Sequence, residues 1–102
     1  RHKLVDMAIR IDAARTLTWD LANALQTNRG TMAERVARIS MLKVTATDTM
    51  KFCADQAVQI LGGMGFMRGT LSERIYREVK VLSIGGGADE IMKELAGRQL
   101  GI

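Results

Sequence analysis

Proline is absent from this 102-residue sequence, cysteine and histidine occur once each, and aromatic residues make up only 4% of it. Each shortage removes a class of protein. The lone Cys53 has no partner within the chain, which excludes a disulfide scaffold and fits a reducing compartment. The single His2 stands at the very start, leaving no Ser-His-Asp or Cys-His arrangement for nucleophilic catalysis. No cluster of Cys, His and carboxylates has metal-ligand spacing. No apolar run approaches the roughly 20 residues that cross a bilayer, so no membrane span is expected. The net charge is +4, but 15 basic residues are interleaved with 11 acidic ones, as in Glu34-Arg35 and Glu73-Arg74. Without a block of like charge, or rings for base stacking, that surplus reads as solvated helix surface and not as a nucleic-acid site.

What is present suits one small domain. Hydrophobic residues make up 47% of the chain and charged residues 25%, a mixture that can offset the entropy of ordering. Residues 1 to about 28 are predicted to form a first helix, with Leu4, Ala8, Ile11, Ala14, Leu21 and Leu25 on one stripe. Asn28-Arg29-Gly30 breaks it, since Asn and Gly tolerate the left-handed backbone of a helix end. Thr31 followed by Glu34 has the spacing of a capping box and opens a long second helix to Leu61. Its stripe is Ala37, Met41, Val44, Thr47, Met50, Ala54, Val58 and Leu61, with small residues in the middle that let a neighbour approach closely. Within that helix, Cys53 reads as a structural thiol and the methionines as core filler.

Residues 62 to about 70 read as a glycine-rich loop. A third helix follows from Thr70 or Ser72 to about Ser83, with Leu71, Ile75, Val79 and Leu82 on one face. Gly85-Gly86-Gly87 interrupts the chain, and a fourth helix runs from Ala88 to about Leu100 with Ile91, Met92 and Leu95. No strand pattern stands out. The expected fold is all-α: a four-helix up-and-down bundle, incomplete because the first helix already keeps its spacing at Leu4 with no capping residue before it.

The two glycine clusters are the informative features. Gly62-Gly63-x-Gly65 follows a helix, so it is no dinucleotide fingerprint, and it fits a helix C-cap with a tight turn. Gly85-Gly86-Gly87 precedes a helix. There, uncovered N–H groups and the helix's positive end suit a close-approaching pyrophosphate, carbonyl or other polar ligand, or else a plain hinge.

Three ordered motifs resemble those of acyl-CoA dehydrogenases. Gln59-Ile60-Leu61-Gly62-Gly63-Met64-Gly65-Phe66 is similar to that family's Q-I-x-G-G-x-G-[FY] signature. Glu73-Arg74-Ile75-Tyr76-Arg77-Glu78-Val79-Lys80 resembles its E-R-x-[YF]-R-[DE]-x-[KR] segment, and Ile84-Gly85-Gly86-Gly87-Ala88-Asp89-Glu90-Ile91 its I-x-x-G-T-[SN]-[EQ]-I motif. Leu4 to Ala8 and Asp12 to Arg15 also look like the start of its C-terminal helical domain. The resemblance implies that residues 1–102 are most of that domain, whose first helix, with a helical N-terminal and a β middle domain, would precede Arg1. It further implies a flavoprotein oxidoreductase of fatty acid metabolism. FAD would accept hydride from the α,β bond of an acyl-CoA substrate, and an electron-transfer flavoprotein would take the electrons. The parent would be a homotetramer, and this chain alone inactive, without retained FAD, and a possible dimer. A bacterial cytoplasm is expected ahead of a mitochondrial matrix.

Residue by residue, Gln59, Gly62 and Gly63 would touch the ADP part of a neighbouring subunit's flavin. Gly86 and Gly87 would line the acyl-CoA site, and Ala88, Asp89 and Glu90 would approach FAD. Many members carry the catalytic glutamate at the position of Gly86. Glycine supplies no base, so the resemblance is to types such as the isovaleryl and long-chain enzymes, with the base on a helix before Arg1. Ala88 also replaces the usual threonine and loses a hydroxyl bond to the flavin. Asp89 and Glu90 fit a first-turn structural role better than that of a replacement base, because the helix dipole favours their charged forms. Two alternatives accompany this reading: an α-helical self-association module, and a family relative without dehydrogenase activity.

Overall fold

A computed structural model describes residues 1–102 as five helices: α1 His2–Gln26, α2 Met32–Leu61, α3 Gly63–Phe66, α4 Leu71–Leu82 and α5 Asp89–Leu100. The four longer ones match the expected helices to within two residues at each end. Thr31 caps α2 as its spacing predicts. Its hydroxyl accepts from the Glu34 N–H at 3.1 Å, and the Glu34 carboxylate accepts from the Thr31 N–H at 2.8 Å. Before it, Asn28 takes a left-handed φ of 55°, and the Arg29 N–H donates to Ala24 O at 2.9 Å, closing α1 with the 6→1 bond of a Schellman turn. The expected loop after Leu61 differs, because it contains the single turn α3. Gly62, at φ 63°, reverses the chain, and the Gly65 N–H donates back to Gly62 O at 2.9 Å.

All the other helices pack on α2, and beyond that only the short α3 and α4 touch each other. Pairs along its length fix their directions. From α1, Lys3 reaches Gln56, Arg10 lies over the Phe52 ring, and Asp20 binds Arg38, so α1 runs antiparallel to α2. The end of α4 meets Lys43 at Leu82 O, and α5 goes on from Asp89, beside Lys43 and Lys51, to Leu100, beside Met41 and Val44. Thus α4 and α5 cover successive lengths of α2 in the same direction, without touching each other. The result is an elongated, open bundle of 48 × 25 × 22 Å. Close approach rests on small buried α2 residues: Ala37, Ser40, Thr47, Thr49 and Ala54. Ser40 and Thr47 satisfy their hydroxyls on carbonyls one turn back, Val36 O and Lys43 O.

Only 12 residues are buried, which leaves most apolar faces open. In α1 the inward residues are Leu21 and Ala24, with Met7, Ala14 and Leu17 half-buried, while Leu4, Ala8, Ile11 and Leu25 of the expected stripe are exposed. This helix has two apolar faces and a single neighbour, so α2 covers one seam of it. Likewise Val79 alone of the expected α4 face is buried, and in α5 Ala96 is buried while Ile91 is exposed. Between α1 and α4, Met7, Met50, Cys53, Ala57, Ile75 and Val79 line an open groove of about 340 Å³. Cys53 is half-buried there, and burial pushes its thiol above the ordinary value of 9.0 although Arg10 opposes the shift. No helix is long and apolar enough to cross a membrane.

Candidate functional site: two glycine clusters on one long helix

The first cluster ends α2. Gln59, Gly62 and Gly63 are all exposed, and a Cβ added at either glycine would meet nothing within 4 Å. Bare backbone therefore stands open beside an amide side chain. Gly65 is different, since it is buried, and its carbonyl accepts from Ser72 Oγ at 2.8 Å and from Thr70 Oγ1 at 3.3 Å. It anchors the turn to α4 and presents nothing to a ligand.

The second cluster joins α4 to α5. The Gly85 N–H donates to Val81 O at 2.7 Å, and the Asp89 N–H to Ser83 O at 3.1 Å, which fixes the two ends of the crossing. Gly86 and Gly87 adopt left-handed φ values of 68° and 107°. Gly86 is exposed with open space where a side chain would project, whereas a Cβ at Gly87 would strike the Met92 thioether. The N–H groups of Gly86, Gly87 and Ala88 have no acceptor within the chain. Three successive free donors ahead of a 12-residue helix make a backbone surface suited to a polar acceptor.

Behind this crossing lies a charged cluster in which two residues not among the expected ones, Lys43 and Lys51, meet the expected Asp89. Lys43 donates to Leu82 O at 2.7 Å and to Gly87 O at 2.6 Å. Asp89 is buried with its carboxylate between two lysines, 3.9 Å from Lys43 and 3.5 Å from Lys51. Lys51 is held above the usual lysine value by Asp48, 3.1 Å away, with a lesser contribution from Asp89. Asp89 thus faces α2, while Glu90 is exposed and Ala88 half-buried. The sequence does carry a signal for the cluster: two lysines eight residues apart among the small residues of a central helix. A charge placed there must find partners on whatever packs against it.

The clusters lie far apart. Lys43, which touches the second, precedes Leu61 by 18 residues, about 27 Å along a helix rising 1.5 Å per residue. One chain therefore offers two separate edges and no single pocket that gathers the expected residues.

A family model described as "Acyl-CoA dehydrogenase, C-terminal domain" matches residues 1–101. The mitochondrial short-chain specific acyl-CoA dehydrogenase of Rattus norvegicus is 37% identical over 93 residues, covering 91% of this chain and 22% of that protein. An acyl-CoA dehydrogenase of Bacillus subtilis is 40% identical over 98 residues, covering 96% and 25%. The crystal structure of a probable acyl-CoA dehydrogenase from Mycobacterium abscessus superposes with a TM-score of 0.89 at 40% identity, covering 99% of this chain and 26% of that one. The chain thus spans about a quarter of the length of these relatives. It belongs to the acyl-CoA dehydrogenase family and corresponds to that family's C-terminal helical domain.

Proposed function

We propose that this chain contributes the C-terminal domain to a flavin-dependent enzyme that oxidises the α,β bond of acyl-CoA thioesters and passes electrons to an electron-transfer flavoprotein. The observation that carries this reading is the crossing at Gly85–Gly87, with its free N–H groups and an open Gly86. Gly86 and Gly87 would line the substrate, and Ala88 and Glu90 would approach the flavin from the start of α5, with the Asp89 carboxylate turned away toward α2. Open backbone at Gly62 and Gly63 beside exposed Gln59 fits a flat, polar group docking end-on. Its distance from the second cluster supports assigning these three residues to the ADP portion of a neighbouring subunit's flavin.

Bound FAD would supply the hydride acceptor. This chain's own part is to shape and hold. Ala88 has no hydroxyl, so its contribution is limited to the backbone N–H. Asp89 is engaged by Lys43 and Lys51, which suits support and not proton abstraction. With no carboxylate at Gly86, the α-proton would go to a carboxylate outside these residues, and the open space at Gly86 leaves room for it.

Purifying the whole protein that carries this chain tests the reading. Flavin absorbance at about 450 nm that bleaches on anaerobic addition of acyl-CoA is the expected result, the colour being the cofactor's own. A protein that binds flavin but is reduced by no acyl-CoA would instead support a relative without dehydrogenase activity. The 102 residues alone should purify colourless and inactive, and a stoichiometric flavin on them would count against the division of labour proposed here.

A second reading concerns assembly. Leu4, Ile9 and Trp19 of α1 are 58%, 61% and 70% exposed, more apolar surface than an isolated helix face keeps in water without a partner. The chain is accordingly read as part of a homo-oligomer interface. Light scattering that finds a clean monomer at high concentration, for the whole protein as for the fragment, would refute this.

A further inference from the structure

The crossing between α4 and α5 has little to hold its shape. Its glycines carry no side chains, α4 and α5 do not touch, and the space beside Gly86 is open. Two left-handed glycines in succession have wide conformational freedom, yet their N–H groups must point one way to serve a ligand. One backbone bond, from the Asp89 N–H to Ser83 O, closes the crossing on itself, and the side-chain contact that spans both its ends comes from α2. The Lys43 ammonium donates to the last carbonyl of α4, at Leu82, and to the last glycine carbonyl, at Gly87. The first is an orphan at the negative end of a helix, where a cation is favoured. Asp89 lies 3.9 Å from the same ammonium, and Lys51 balances its second oxygen.

We propose that Lys43 is the positioning residue of the glycine crossing: by bridging Leu82 O and Gly87 O, it sets the direction of the free N–H groups of Gly86, Gly87 and Ala88. This rests on the reading above for what those groups then hold, the acyl-CoA edge. Lys43 touches neither substrate nor cofactor and acts through the backbone. Asp89 and Lys51 keep its ammonium from swinging to solvent.

Amide hydrogen exchange on the whole protein, wild type against Lys43→Met and Lys51→Met, tests the bridge without needing activity. In Lys43→Met, exchange at Gly85 and Asp89 should become about tenfold faster, as loss of charge-assisted bonds implies, while Gly65 exchanges as before. Lys51→Met leaves both carbonyl bonds intact and should change Gly85 and Asp89 far less. Unaltered exchange in Lys43→Met, an equal rise at Gly65, or an equal effect of Lys51→Met would each overturn the proposal. Should Lys43→Met fail to fold, Lys43→Gln, which keeps an uncharged amide donor on a shorter stem, is read by the same comparison. With active enzyme, Lys43→Met should raise KM for acyl-CoA proportionately more than it lowers kcat, and Lys43→Arg should recover part of the loss. A wild type that no acyl-CoA reduces would sink the proposed reaction, while the exchange data would still decide the bridge.

Discussion

Gly65 rests against Leu61 with no room for a methyl group between them. A Cβ at Gly65 would fall 2.6 Å from the Leu61 Cβ, and 3.2 Å from both Ser72 Oγ and Val58 O. Neither the Val58 backbone nor the base of the Leu61 side chain can yield without moving α2, so the turn would have to shift away from α2 and strain its bonds to Thr70 and Ser72. Gly65→Ala should therefore destabilise the fold by about 1–3 kcal/mol, the usual cost of overpacking. Urea unfolding measures this directly, and a midpoint equal to wild type would mean that the turn has slack.

Acidification should loosen the other end of the molecule. The hydrogen bonds from Arg29 and Arg38 hold the Asp20 carboxyl below its ordinary value of 3.8. A depressed folded-state value means that Asp20 contributes stability above about pH 4, and that this is lost as pH falls through the folded value. The site is exposed, so the effect should be small and should shrink in salt. Comparing wild type with Asp20→Asn across pH 2–6 isolates it. The variant should be the less stable near pH 6 and the two should converge at pH 2, whereas curves that stay parallel would assign the difference to something other than this charge.

Most of this architecture was legible because local chemistry dictates it. The Thr31–Glu34 cap, the Asn28 helix end and the breaks at Gly62 and Gly85 follow from short-range preferences that tertiary packing reinforces. The buried seam of α1 was legible only at Ala14 and Leu21, since Leu4 and Ile11 are as apolar as Leu17 and Leu21, and only the single partner α2 decides between the two faces. At the candidate site, the glycine motifs could be found by resemblance. The spacing of Lys43 and Lys51 marks a charged cluster, but the bridging role of Lys43 is not legible, because it depends on Leu82 O and Gly87 O, 39 and 44 residues away, and a backbone carbonyl leaves no mark in a sequence.

The glycines of the crossing should respond unequally to a methyl group. Gly86→Ala meets no atom and incurs only the left-handed backbone strain, about 1–2 kcal/mol. Gly87→Ala, at a φ of 107° beyond the left-handed helical region, incurs more strain and also forces Met92 to move, an added cost softened by the flexibility of that side chain. The expected order of thermal stability is wild type, then Gly86→Ala, then Gly87→Ala. Reversal of the last two would mean that Gly86 is crowded in solution in a way this open geometry does not show.

Cys53 offers a probe of the groove between α1 and α4. Burial raises its thiol above the ordinary value and Arg10 pulls it down, so at neutral pH the group is protonated and a weak nucleophile. Its reaction with a disulfide reagent at pH 7 should be slower than that of a free thiol and should accelerate into the alkaline range. Arg10 also lies 4.0 Å from the centre of the Phe52 ring, next to Cys53 in sequence, so the residue acts through both charge and packing. The variant Arg10→Gln separates these influences. Loss of the cation removes the influence that lowers the thiol value, so the reaction should slow further at pH 7 and its alkaline rise should move to higher pH. If Arg10 instead mattered by holding α1 against α2, its removal would open the groove and speed the reaction at every pH, and the electrostatic account of Cys53 would fail.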